Sequence, residues 1–208
     1  MQLYAINNKK ILDILEEIRY TFLEKYDIAE ILKLEGYEKY NDLCTSDDYL
    51  KKIISLNKDH VGLPNLFYGY QAKTFKDNNS EYKKDFSNLT NKMSVFLNSA
   101  RSALWAIYPP KGYIDWHNNA NAPGYNIIFT YSETGEGCFK YYHGSAEQKV
   151  TIHDKKGWSF KAGYFGSYED KKPLYHCAST DCWRITISHV IKDVSTWNKI
   201  IQLINQGE

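Results

Sequence analysis

The stretch "YPPKGYIDWHNNANAPGYN", Tyr108 to Asn126, decides how this chain is read. A Pro-Pro-Lys-Gly turn leads into a short run ending on a histidine, and an amide-rich Pro-Gly turn follows. Short β-branched or aromatic runs between such turns mark half-buried strands. Residues two apart on a strand share a face, so Tyr113, Asp115 and His117 are expected to point the same way. Asn119 joins them if the strand persists. Downstream, "PLYHCASTDCWRITIS" (173–188) supplies a second histidine, His176, and then Arg184, with Thr186 and Ser188 on the same face as the arginine.

Outward from these two stretches the same texture continues. "ARSALWAIYPP", "YNIIFTYS", "CFKYYH", "KVTIHD", "GWSFKAGYFG" and "WRITISHVI" are short runs separated by turns such as "SETGEG" and "HGSAEQ". Seven or eight strands in so short a span predict an all-β sandwich or jelly roll over 101–191. The preceding hundred residues have helical spacing instead. Ile11, Leu12, Leu15, Ile18, Phe22 and Leu23 form one face of a helix within 9–34, interrupted near Tyr26 and Asp27. "TSDDYLKKIISL" predicts a short helix near 47–56, and Tyr82, Phe86, Leu89, Met93 and Phe96 predict the longest one, ending near Ser99. "STWNKIIQLINQ" closes the chain as an amphipathic helix. The expected organisation is one α+β unit of 208 residues. Residues 1–100 are mainly helical support, 101–191 the sheet core and 192–208 a C-terminal helix.

Composition narrows the function. Lysine and arginine number 26 against 25 aspartate and glutamate, so no global field advertises a nucleic-acid partner, although a local basic groove is not excluded. Without a basic leader or a long apolar run, no membrane partner is expected. The four cysteines form no Cys-x-x-Cys and are too few for a disulfide scaffold, which fits a reduced, cytoplasmic protein.

Two histidines and a carboxylate on one face are the donor set of non-haem Fe(II) oxygenases, which leaves three coordination positions open. An arginine on a neighbouring strand suits a carboxylate ligand, because its planar fork pairs two oxygens at once. His60, His143, His153 and His189 read as ordinary packed or surface residues. Trp116 and Trp183 are expected to pack between sheet and helices, while Tyr125, Tyr131, Phe139 and Tyr141 are candidates to line a cavity.

In order and spacing, "YPPKGYIDWHNN", "KAGYFGSYEDKKPLYHC" and "WRITIS" resemble the Fe(II)/2-oxoglutarate-dependent dioxygenases. The likeness is to the prolyl-hydroxylase-related branch and to phage-encoded members, and it covers roughly 101–191. The resemblance implies a double-stranded β-helix (cupin-like jelly roll) with buttressing helices. It implies Fe(II) on His117 and His176, and 2-oxoglutarate as co-substrate with its distal carboxylate on Arg184, helped by Thr186 or Tyr108. The implied reaction is hydroxylation of a small-molecule, peptide or nucleobase substrate, with release of succinate and CO2. At the usual His-x-Asp position this chain has Asn119. Three readings follow: two histidines with Asn119 or water in third place, Asp115 as the third ligand, or a catalytically inactive jelly-roll binding protein. The aspartyl/asparaginyl β-hydroxylases also lack the carboxylate and place an arginine nine residues after the first histidine. Asn126 occupies that position here and becomes a further cofactor-binding candidate.

Overall fold

A computed structural model describes residues 1–26, 36–58, 66–74, 80–99, 101–120, 122–143, 148–166 and 173–207. The chain opens with β1 (Gln2–Tyr4) and α1 (Lys9–Tyr20). Asn8 caps α1, its side chain accepting from the Ile11 amide. One π-helical turn, Thr21–Lys25, extends it to the interruption expected near Tyr26. The rest of the 9–34 helix lies outside the described residues. A helical turn, Asn41–Cys44, precedes α2 (Asp47–Leu56), which Ser46 caps and where two acids occupy the first turn. Two short strands follow, β2 (Phe67–Tyr68) and β3 (Tyr70–Gln71), and then the longest helix, α3 (Ser80–Phe96).

Of the seven or eight strands expected over 101–191, eight are present. They are β4 (Arg101–Tyr108), β5 (Tyr113–His117), β6 (Gly124–Ser132), β7 (Gly137–His143), β8 (Gln148–His153), β9 (Gly157–Phe165), β10 (Leu174–Thr180) and β11 (Arg184–Ile191). Helix α4 (Val194–Gln206) follows, capped by Asp193. Every named strand pair is antiparallel, in two sheets ordered β1-β9-β6-β11-β4-β3 and β2-β5-β10-β7-β8. Strands β4 to β7 alternate between the sheets, as do β8 to β11. Helices and antiparallel sheets in this arrangement fit a jelly roll. No helix among the described residues is long and apolar enough to cross a membrane.

Alternation along the strands builds the layers. From the six-stranded sheet, Trp105, Ile107, Ile127, Phe129, Phe160, Ile185 and Ile187 point outward. They pack on Ile11, Leu15, Ile18 and Phe22 of α1, Leu89 and Met93 of α3, and Ile200 and Ile204 of α4. On the outer face of the five-stranded sheet, Trp116, Tyr175 and Cys177 pack on Leu50 of α2. Trp116 thus lies against a helix as expected, and Trp183 packs at the margin of the larger core.

Candidate active site

Between the two sheets lies a cavity of about 320 Å3. Strands β5 and β10 place His117 directly opposite His176, and the ring centroids are 4.1 Å apart. Each ring is held from behind by a carbonyl of its own strand. Nδ1 of His117 is 2.7 Å from the Asp115 oxygen, and Nδ1 of His176 is 3.3 Å from the Leu174 oxygen. A carbonyl only accepts, so in the neutral ring Nδ1 is the donor, the tautomer that directs the Nε2 lone pair away from the strand. Phe165 and Phe139 flank the His176 ring at 4.6 and 5.8 Å. Strand β5 ends at His117, yet Asn119 still lines the cavity, from a turn in which the Ala122 amide donates to the Asn119 carbonyl.

The shared face expected for Tyr113, Asp115 and His117 does not form. His117 pairs with His176 but Ile114 with Ala178, so β5 carries one extra residue in this interval. Such a bulge inverts the alternation beyond it. Ile114 and His117 line the cavity, whereas Trp116 packs outside on Leu50. Asp115 also faces outward, its Oδ2 accepting from the Tyr49 hydroxyl of α2 at 2.8 Å. Its other oxygen is buried without a hydrogen bond, and burial pushes the carboxyl up to about 7. Asp115 is therefore not brought to the histidines, and among the described residues no third His, Cys, Asp or Glu joins the pair.

At the cavity's inner end Arg184, 1% exposed, opens β11 opposite Tyr108. Its Nε donates to Asp154 Oδ2 at 2.7 Å and its Nη1 to Thr186 Oγ1 at 2.5 Å. The guanidinium carbon lies 5.5 Å from the centre of the Tyr108 ring. Burial drives the Tyr108 phenol up to about 12, so it stays a neutral donor. Asn126 also lines the cavity while donating to the Gly124 carbonyl at 3.0 Å. Of the candidate aromatics Phe139 lines the cavity; Tyr125 and Tyr131 pack on the helix side, and Tyr141 beside the inner cluster.

Behind Arg184 stands a group that strand patterning did not single out. Asp154, between β8 and β9, reaches Arg184 with one oxygen and faces Lys161 Nζ at 3.5 Å with the other. Lys161 of β9 is fully buried and donates to Thr130 Oγ1 of β6 at 2.9 Å. Burial pulls the lysine down to about 8 against the attraction of Asp154, while its two cations hold Asp154 below the usual carboxylate range despite its own burial. The signal for Lys161 lay in "GWSFKAGYF", where a lysine falls in phase with Phe165 on the inward face. Asp154 sits in "HDKKG", which reads as an ordinary turn.

Of the other histidines, His189 is buried, held beside the Ser99 hydroxyl and near Trp105, and burial lowers its imidazole to about 4. His60 lies outside the described residues. All four cysteines are unpaired with one another, and Cys177 points away from the cavity.

No protein-family model matches the sequence, and no curated protein does. Among solved structures the chain is similar to a prolyl-4-hydroxylase from Pseudomonas putida, with 12% identity and a TM-score of 0.34. That match covers 58% of this chain and 65% of the other, so it spans less than two thirds of that protein's length. A prolyl hydroxylase from Trichoplax adhaerens, in complex with a hypoxia inducible factor oxygen degradation domain peptide fragment, gives 13% and 0.35, covering 72% of this chain and 79% of that one. A carbohydrate binding module of the Cellvibrio mixtus lichenase 5A, in complex with cellotriose, gives 12% and 0.25, covering 46% and 92%. Function is therefore argued from the side chains of the cavity.

Proposed function

We propose that β4–β11 form a double-stranded β-helix and that the chain is an Fe(II)- and 2-oxoglutarate-dependent oxygenase. It would hydroxylate a small-molecule, peptide or nucleobase substrate and release succinate and CO2. The observation that carries this reading is the histidine pair: two imidazoles directly opposed across β5 and β10, each with Nδ1 on a backbone carbonyl, in a cavity shared with a buried arginine. His117 and His176 would hold the metal, with the Asn119 amide or water beside them. Bound iron supplies the redox chemistry that couples decarboxylation of the co-substrate to oxidation of the substrate.

The residues present fit that group on charge grounds. Two neutral imidazoles and an amide leave a divalent cation uncompensated, so the site depends on an anionic chelator more than one with a carboxylate ligand does. A 2-oxoglutarate dianion answers this at both ends, with its keto-acid end toward the histidines and its distal carboxylate on Arg184. Thr186 fixes the guanidinium through Nη1, leaving Nη2 for the ligand, and Tyr108 donates from the facing strand. Phe139, Phe165, Ile114 and Ile128 form apolar walls that exclude water from the reacting centre.

Anaerobic addition of Fe(II) and 2-oxoglutarate should produce a weak visible charge-transfer band and thermal stabilisation. His176→Ala should abolish the band. A second reading, a jelly-roll binding protein without metal, is favoured by the lack of a carboxylate beside the histidine pair among the described residues. It predicts no band and no stabilisation by either ligand.

A further inference from the structure

We propose that Lys161 and Asp154 are positioning residues that set the charge of the cavity's anion site. Asp154 neutralises and orients Arg184, and Lys161 restores one net positive charge, so the Arg184–Asp154–Lys161 group selects an anion at the inner end. The proposal rests on the reading of Arg184 as the carboxylate-binding residue. It adds why a guanidinium already paired with a carboxylate still attracts a ligand.

The geometry carries it. Arg184, Asp154 and Lys161 have side chains 1%, 0% and 0% exposed. Three charges in one buried group leave an excess of a single cation, and an unbalanced buried charge is costly unless a counter-ion completes it. The cluster draws on separate elements: Arg184 from β11, Asp154 from the β8–β9 turn, Lys161 from β9 and Thr130 from β6. The Phe139 ring of β7 covers Lys161 Nζ at 5.8 Å. Asp154 faces the lysine at 3.5 Å but bonds the arginine at 2.7 Å, so its charge is shared unequally. An arginine–aspartate pair alone would be neutral, and the lysine is what keeps the group cationic. Burial holds the lysine close to losing its proton, and an arriving anion favours the protonated form.

Anaerobic isothermal titration with 2-oxoglutarate, succinate and sulfate in the presence of Mn(II) tests this on the wild type, Lys161→Met, Asp154→Asn and the double variant Asp154→Asn/Lys161→Met. Lys161→Met, which leaves a neutral arginine–aspartate pair, should weaken binding of the preferred anion about tenfold or more. The double variant again carries one net positive charge and should recover affinity to within about threefold of wild type. A purely structural role predicts the opposite, because two substitutions would damage packing more than one. Unchanged affinity in Lys161→Met, or a double variant as weak as the single, would overturn the proposal. Should succinate or sulfate follow this pattern while 2-oxoglutarate does not bind, the charge site stands and the oxygenase reading fails. If 2-oxoglutarate binds regardless of Lys161, the oxygenase reading stands and this inference fails. Binding of no anion to the wild type would overturn both.

Discussion

The six-stranded sheet has two faces built from alternate residues of the same strands, and they differ in kind. Outward, Ile127, Phe129, Ile185 and Ile187 meet three helices in an apolar core. Inward, Asn126, Thr130, Arg184, Thr186 and Ser188 are equally buried, with charges and hydroxyls where a sandwich interior is usually hydrophobic. The outer face holds the fold together. The inner face spends part of that stability on polar groups satisfied by one another and, in our account, by a ligand.

The largest expected effect is on the inner face. Asp154→Ala leaves Arg184 and Lys161 buried without their carboxylate, and should cost about 3–5 kcal/mol in urea unfolding. A loss under about 1 kcal/mol would mean that the cluster is more hydrated than its burial implies. On the outer face, Ile187→Ala should cost about 2–4 kcal/mol and leave the affinity for 2-oxoglutarate unchanged. A comparable loss of affinity would show that the two faces are not separable.

Lysine titration sharpens the contrast. Lys161 is depressed to about 8 in the folded chain, so between about 8 and its unfolded value the unfolded state binds more protons. Stability of the ligand-free protein should therefore rise through that window, by up to roughly 2–3 kcal/mol. Anion affinity should fall over the same window as the cation is lost. Comparison with Lys161→Met, which removes both trends, isolates the contribution from the other lysines and tyrosines. Tyr49→Phe is smaller still. It removes the hydroxyl from Asp115 and should cost about 1–2 kcal/mol in stability, with Fe(II) and 2-oxoglutarate binding intact. Loss of metal binding in that variant would bring Asp115 back as a ligand.

Period-two alternation made the eight strands legible, and it also separated the two faces of β11 that place Arg184 and Thr186 inward. A helix start was legible where a capping side chain stands at the boundary, as at Ser46. Asp115 was misplaced for a specific reason. One inserted residue in β5 shifts the phase between Ile114 and His117, and counting by twos assumes no insertion. A bulge is decided by pairing with β10, about sixty residues away in sequence, so nothing local announces it. Lys161 was readable as a charge on an inward phase. Asp154 was not, because a turn aspartate is ordinary until the fold folds it under Arg184.

In the proposed site the opposed histidines would hold a metal while Arg184 would hold a carboxylate. Anaerobic crystals grown with Mn(II) in place of iron and with 2-oxoglutarate test it directly, by anomalous scattering. A metal peak bonded to Nε2 of His117 and His176 is expected, with the ligand's distal carboxylate on Arg184 and Asp115 still on Tyr49. No peak between the histidines, or a metal bound to Asp115, would contradict it.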